Sequence, residues 1–298
     1  DSQVRYEYFE SSTTFTPTVV MKKYKAFDFL VTGAGGGGAG LYHDVSGNYT
    51  YWLGGGGGGG GEVIFSVHEG ITSPTLFSSI NTLGITIGQG GSLGSSFIYN
   101  NSSHNQRNYG SNGGSTTMTI NYSNSTTGTY TAIGGNGGGN GSDYTQGGDG
   151  GGYVYSSGTS RPQGQNGGQV SGGTFQVKGI GGAGAGAGDY WYTGTNAGVS
   201  TGTPPGDYDT GGHGFNSSST LPWGDTYGYG VGGSGSNGSG TLQRASGLAD
   251  YNSKTTDISN SVNQRGQGGT GSNWNFASTP VAEFGCDGED GVVALKYS

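Results

Sequence analysis

Short segments with an apolar residue at every second position alternate with glycine tracts along the whole chain. The strand-like segments are 4–10 (VRYEYFE), 24–31 (YKAFDFLV), 62–67 (EVIFSV), 83–88 (LGITIG), 117–122 (TMTINY), 152–155 (GYVY), 174–180 (TFQVKGI) and 291–297 (GVVALKY). Each is short and rich in Val, Ile, Thr or aromatic residues, the composition of a pleated, half-buried surface. No window carries a helical period. Between them lie the tracts 33–40, 54–61, 134–141, 147–152, 164–173, 179–188, 230–240 and 266–271, whose irregular spacing excludes an array of equal repeats.

The glycines invite a phosphate-binding reading, because 27–40 (FDFLVTGAGGGGAG) is an apolar strand running into a G-x-G-x-x-G match. That fingerprint works only where a helix starts within it. Each helical glycine costs about 1 kcal/mol relative to Ala, and no amphipathic segment follows to compensate. A P-loop is excluded by the lack of any Gly-Lys pair, and calcium-binding nonapeptides by glycine at the Asp position of GGDGGG and GGAGAG. With 71 Gly against 7 Pro the chain is not collagen. GAGAGAG at 182–188 has the period-two pattern of stacked silk sheets. The other tracts suit a polyproline II-type glycine helix, with three residues per turn and about 3.1 Å rise. Such helices have no internal hydrogen bonds, so once buried they must bond to one another.

Composition supports this. Only 29% of the residues are hydrophobic, too few for an ordinary oily core, while 12% aromatic content argues for order. The expected fold is all-β and irregular: a polyglycine II bundle or sandwich with short β-strands and no significant α-helix. An N-terminal strand or attachment segment, 1–23, would precede one glycine-rich domain, 24–298. Asp1 reads as a processed or cut start.

A net charge of -8 and only 11 Lys and Arg, with no cluster beyond Lys22-Lys23, argue against nucleic acid. No apolar run reaches the roughly 20 residues of a membrane span. Cys286 is alone, excluding an intrachain disulfide. His43, His68, His104 and His213 are scattered, and Asp287, Glu289 and Asp290 read as an acidic turn before the last strand. No nucleophile sits beside a base. The expectation is a protein without catalysis, cofactor or metal.

Segments 41–53, 92–110, 189–196, 215–229 and 242–265 are neither strand nor glycine and concentrate Tyr, Trp, His, Asn and Ser. Tyr42, His43, Tyr49, Tyr51, Trp52, Tyr99, Tyr109, Tyr190, Trp191, Tyr192, Phe215, Trp223, Tyr227 and Tyr229 are the candidate contact residues. Exposed Tyr and Trp offer rigid amphipathic area for proteins and sugars; alternatively, these aromatics cover a glycine core that has no apolar side chains. Sequons occur at Asn48, Asn100, Asn101, Asn121, Asn124, Asn140, Asn216 and Asn237.

The pieces FDFLVTGAGGGGAG, GGGEVIFSV, LGITIGQGGS, GGDGGGYVY, GIGGAGAGAG and GCDGEDGVVALKY resemble the glycine-rich tip adhesins of T-even-like bacteriophage long tail fibres. The resemblance implies packed polyglycine helices at a virion fibre tip. Their variable loops would recognise a host receptor, either an outer-membrane protein or a glycan. It also implies attachment to a trimeric fibre, although no attachment module is recognisable in 1–18. A structural subunit of an extracellular filament or coat is the alternative, glycosylated at the sequons and pairing with neighbouring copies through its N-terminal strands. An ice-binding protein is the weaker alternative, because regular Thr arrays are not visible in the sequence.

Overall fold

A computed structural model describes residues 4–23, 27–46, 49–66, 77–95, 97–98, 109–139, 168–170, 176–180, 223–225, 227–230, 232–233, 264–269, 271, 273–275, 281–283 and 285–297. In chain order the strands are β1 (Arg5–Phe9), β2 (Thr13–Phe15), β3 (Phe27–Thr32), β4 (Tyr42–Ser46), β5 (Tyr49–Leu53), β6 (Val63–Phe65), β7 (Ile80–Thr86), β8 (Phe97–Ile98) and β9 (Thr116–Tyr122). They continue with β10 (Thr127–Ala132), β11 (Gly168–Val170), β12 (Gln176–Ile180), β13 (Gly228–Tyr229), β14 (Gln264–Arg265), β15 (Asn273–Asn275), β16 (Val281–Glu283) and β17 (Val292–Tyr297). Among the described residues helix is limited to two short 3-10 turns, Met21–Lys23 and Phe77–Ser79. The fold is all-β and irregular, as expected.

Two antiparallel four-stranded sheets, ordered β1-β17-β3-β6 and β10-β9-β7-β2, form a sandwich. Alternation decides what lies between them. Phe27, Phe29 and Val31 of β3 and Val293, Leu295 and Tyr297 of β17 meet Leu83 and Ile85 of β7 and Met118 and Ile120 of β9. The opposite positions of the first sheet, Leu30, Val292 and Ala294, are buried as well, beneath Trp223 and Tyr229. Both faces of β3 and β17 are therefore apolar, and their patterns are almost continuously buried.

The sandwich strands continue into extended glycine tracts. β3 runs into tract I (33–40), β7 into tract III (88–95), β10 into tract V (133–139) and β14 into tract VI (266–271). Tracts II (54–62), IV (109–115) and VII (285–291) run the other way, into β6, β9 and β17. Tract I is the centre. Its N–H groups bond in strict rotation to tracts II, IV and VII: Gly33, Gly36 and Ala39 donate to Glu62, Gly59 and Gly56; Ala34 and Gly37 to Gly114 and Ser111; Gly35 and Gly38 to Glu289 and Cys286. Its carbonyls at residues 34 to 38 accept from Gly135, Gly91, Gly269, Gly138 and Gly94 of tracts V, III and VI. A partner repeating every third residue is the signature of a three-residue turn. No glycine of tracts I to V has positive φ, so these helices have the left-handed sense of polyproline II.

The six surrounding tracts also bond to one another, closing the ring II–V–IV–III–VII–VI. Gly59 donates to Asn136, Gly113 to Gly135, Gly114 to Gln89, Gly288 to Gly91, Glu289 to Gln267, and Gly58 to Gly269. Neighbours in the ring run in opposite directions. Tract I is thus enclosed in a hexagonal lattice of backbone hydrogen bonds. A Cβ at Gly33, Gly36 or Gly37 would overlap the carbonyl oxygens of Ile133, Asn136 or Ser92. The two alanines, Ala34 and Ala39, lie one residue in from either end of the tract and are fully buried.

Ring members need glycine only where they face inward. In tract III Gly88, Gly91 and Gly94 are buried, whereas Gln89, Ser92 and Ser95 are exposed. Its outward N–H groups are capped by side chains: Gly90 donates to Asp290 (2.7 Å), Ser92 to the Ser111 hydroxyl (2.6 Å) and Leu93 to Asp287 (2.6 Å). Asn112 likewise accepts from Gly137 at 2.9 Å. The acidic turn 286–291 is itself tract VII.

Several sequence expectations change. β1 pairs with β17 and β2 with β7, so residues 5–9 and 13–15 belong to the two sheets of the sandwich. β2 and β10 were not expected, and neither were tracts III, IV and VII, in which glycine is only a minority face. The strand expected at 152–155 and the tracts 147–152 and 182–188 lie outside the described residues.

The lattice yields a paired test. Gly36→Ala should cost more than about 3 kcal/mol, beyond the usual range for overpacking, because the obstacle is backbone. Gly84→Ala, whose Cβ would meet Thr119 Cβ at an ordinary 3.8 Å, should stay within about 1 kcal/mol. Denaturant midpoints of the two variants check the difference.

Candidate functional site

Tracts I, III, V and VI run away from the sandwich, and after tract I the chain returns through tract II. A tract of eight residues spans about 25 Å at about 3.1 Å per residue, and this sets the separation between the two ends. Across the far end lies a five-stranded sheet ordered β11-β12-β5-β4-β8. β4 and β5 form a hairpin joining tract I to tract II, paired from Tyr42↔Leu53 to Ser46↔Tyr49. In the sequence a Gly-Asn pair between two such segments is a hairpin signal.

Strand alternation places Tyr42, Tyr49 and Tyr51 at positions on one face with Asp44 and Ser46, and His43 and Trp52 on the other. β8 extends the first face with Phe97 opposite Tyr42, and β12 sets Val177 opposite Tyr51 and Lys178 opposite Trp52. Tyr109 begins the inward tract IV at the same end and is 47% exposed. The structure thus brings together the candidate residues Tyr42, Tyr49, Tyr51 and Tyr109 at one end of the molecule. His43 and Trp52 sit on the same hairpin.

A second candidate group behaves differently. Trp223 and Tyr229 are fully buried, which fits the alternative reading of these aromatics as cover rather than contact residues. Segment 223–230 is fastened over the outer face of the sheet β1-β17-β3-β6. Asp225 accepts hydrogen bonds from the hydroxyls of Tyr8 (2.7 Å) and Tyr229 (2.6 Å) and from the Tyr227 N–H (3.1 Å). The Trp223 carbonyl accepts from Lys296 Nζ (2.8 Å) and the Tyr6 hydroxyl (3.2 Å). The indole stands edge-on to Phe65, with ring centroids 5.2 Å apart. Tyr227 is half-buried, stacked edge-on against Tyr8 at 5.3 Å with the Arg265 guanidinium 4.8 Å above its ring. Arg265 also pairs with Glu10. Aromatics here cover a sheet that the bundle cannot cover.

Burial pushes the hydroxyls of Tyr8 and Tyr229 far above their ordinary ionisation range, and the charge of Asp225 and its hydrogen bonds push them further. Tyr6 is raised by burial and then by the Asp225 charge. Asp225 ties Tyr8 of β1 to Tyr227 and Tyr229 of the covering segment, the arrangement of a clasp.

Tyr99, Tyr190, Trp191, Tyr192 and Phe215 lie outside the described residues, as do Asn48, Asn100, Asn101, Asn140, Asn216 and Asn237. Of the two described sequons, Asn121 is near the end of β9 with its amide nitrogen donating to Thr82 Oγ1 at 3.0 Å, a poor site for sugar. Asn124 is at an exposed turn, its oxygen accepting from the Thr126 N–H and hydroxyl at 3.1 and 2.6 Å. Among the described residues no three His, Cys, Asp or Glu side chains converge on a metal position. No described helix is long and apolar enough to cross a membrane.

These features define an all-β protein built on a polyglycine bundle. The chain belongs to the glycine-rich domain family, whose model matches residues 10–298. No curated protein matches it.

The clasp makes a pH prediction. A tyrosine whose folded ionisation is raised stabilises the fold fully below the unfolded value of about 10 and loses that contribution above it. Tyrosinate absorbance should therefore show Tyr8 and Tyr229 resisting ionisation until the sandwich unfolds, with stability falling once the pH passes about 10. Far-ultraviolet circular dichroism along the same titration checks that ionisation and unfolding coincide.

Proposed function

We propose that the chain is a non-enzymatic receptor-binding adhesin. It is of the kind carried at the tip of T-even-like phage long tail fibres, and so belongs to a virion or otherwise acts outside the cell. Its partner is a host cell-surface receptor, an outer-membrane protein or a glycan, and it needs no cofactor. The observation that carries this reading is the distal hairpin. The chain leaves the central tract, presents Tyr42, Tyr49 and Tyr51 positions on one sheet face, and returns through tract II. Contact residues on strands held by a rigid scaffold lose little entropy on binding, and tyrosine is the residue type that gains most there.

The filament reading relied on N-terminal strands lent to the next subunit. β1 and β2 pair within their own chain, which argues against that device.

Tyr49→Ala and Tyr51→Ala should each weaken binding of the purified protein to intact host cells by roughly tenfold or more, as for an interface hot spot. The melting temperature should hardly move, because the lattice is untouched. Full binding by both variants would sink the reading, as would equal loss from Tyr227→Ala on the sandwich.

A further inference from the structure

The sheet β10-β9-β7-β2 turns one face to the core, and its other face is a threonine array assembled from distant parts of the chain. The registers align three rows across the strands. The first is Thr131, Thr117 and Thr86; the second is Thr129, Thr119, Gly84 and Thr14; the third is Thr127, Asn121 and Thr82. Eight of these ten outward positions are threonine, in a chain where threonine is 32 of 298 residues. The β-propensity of threonine explains its presence in strands. It does not explain the exclusion of nearly everything else from one face while Ile, Leu, Met and Tyr fill the other.

Charge is missing too. Residues 77–98 and 109–139, which hold β7, β9, β10 and tracts III to V, contain no Asp, Glu, Lys or Arg, although the chain carries 19 acidic and 11 basic residues. Thr14, Thr86, Thr127 and Thr129 are exposed, and Thr82, Thr117, Thr119 and Thr131 are half-buried by one another. Cross-strand bonds join the hydroxyls of Thr117 and Thr131 (3.0 Å) and of Thr119 and Thr129 (3.4 Å). Branching at Cβ restricts each χ1, so methyls and hydroxyls repeat in fixed positions. The repeats are about 4.8 Å across strands and about 6.7 Å along them.

We infer that this face binds ice. A two-dimensional grid of alternating methyl and hydroxyl groups, free of charge, holds a layer of water in a regular pattern that a crystal of water can adopt. Ions would instead impose radial hydration on their neighbours. The matching partner is an extended, neutral, periodic surface. An anionic or cationic partner finds no complementary charge here. A sugar finds no aromatic platform, because Tyr122 and Tyr130 pack against the core. Sheet twist concentrates the match on the β9–β10 pair, where both Thr–Thr bonds lie. This site is on the sandwich, separate from the distal hairpin, and does not depend on the adhesin reading.

The full chain, fluorescently labelled, should adsorb to a growing ice crystal and retard recrystallisation of fine-grained ice. Thr119→Tyr, which plants a ring in the centre of the grid, should reduce that activity by roughly tenfold, equivalent to about 1.4 kcal/mol. Thr129→Tyr at the exposed edge strand should reduce it too, with circular dichroism and melting confirming that both variants fold. Tyr51→Ala should leave it unchanged. The inference is overturned if the wild type is excluded from ice. Folded Thr119→Tyr and Thr129→Tyr proteins as active as wild type would overturn it equally, as would binding of this face to soluble glycans in preference to ice.

Discussion

Two backbones can bond side by side in three dimensions only where no Cβ stands between them, and the whole molecule is arranged around meeting that condition once, at residues 33–40. Tract I donates from every N–H between Gly33 and Ala39 and accepts at every carbonyl from Ala34 to Gly38. Each unmet buried group would cost about 1 to 3 kcal/mol, so the central tract is tolerable only with all six neighbours present. The lattice is therefore cooperative by construction. Removing one member leaves a row of unpaired groups on each tract it touched.

The second core supplies what the first lacks. Hydrogen bonds exchange one partner for another and yield about 1 kcal/mol each net, whereas ordering glycine costs more than ordering any other residue. A bundle of glycine helices alone would have little to set its register. The sandwich provides this: apolar burial between β3, β17, β7 and β9 fixes where each strand ends, and the next residue begins a tract. Glu62 shows the junction in detail. Its N–H and carboxylate bond to Ile133, and its carbonyl accepts from Gly33. A hydrophobic content of 29% suffices because only half of the architecture needs it.

How much of this could be read from the sequence follows from the same geometry. Tracts I and II are legible because a helix bonded on all sides is glycine at nearly every position: tract I departs from it only at Ala34 and Ala39, and tract II carries eight consecutive glycines at 54–61, with Gly233 and Gly269 bonding to Gly58 outside it. Tracts III, IV and VII are not, since a peripheral helix needs glycine only at every third position, and residues such as Gln89, Ser92, Asp287 and Asp290 fill others. β3 and β17 were legible from alternation. The hairpin β4–β5 is hard to read, because its aromatic and polar content is also that of a binding loop. Trp223 and Tyr229 stay open between contact and cover in the sequence, because nothing local says which sheet they lie on. The threonine rows are invisible one strand at a time: Thr119 meets Thr129 and Gly84 only through the registers of three strands.

A lattice that forbids side chains on its inner faces leaves three places where chemistry can vary: the outward positions of the ring, the uncovered sheet face and the connections across the far end. The outward positions are largely committed, since Asp287, Asp290, Ser111 and Asn112 cap backbone groups of neighbouring tracts. The connection from tract I to tract II is a hairpin of five-residue strands, and the lattice touches the chain only where it leaves tract I and enters tract II. Freedom of composition in that far-end hairpin thus has a physical reason.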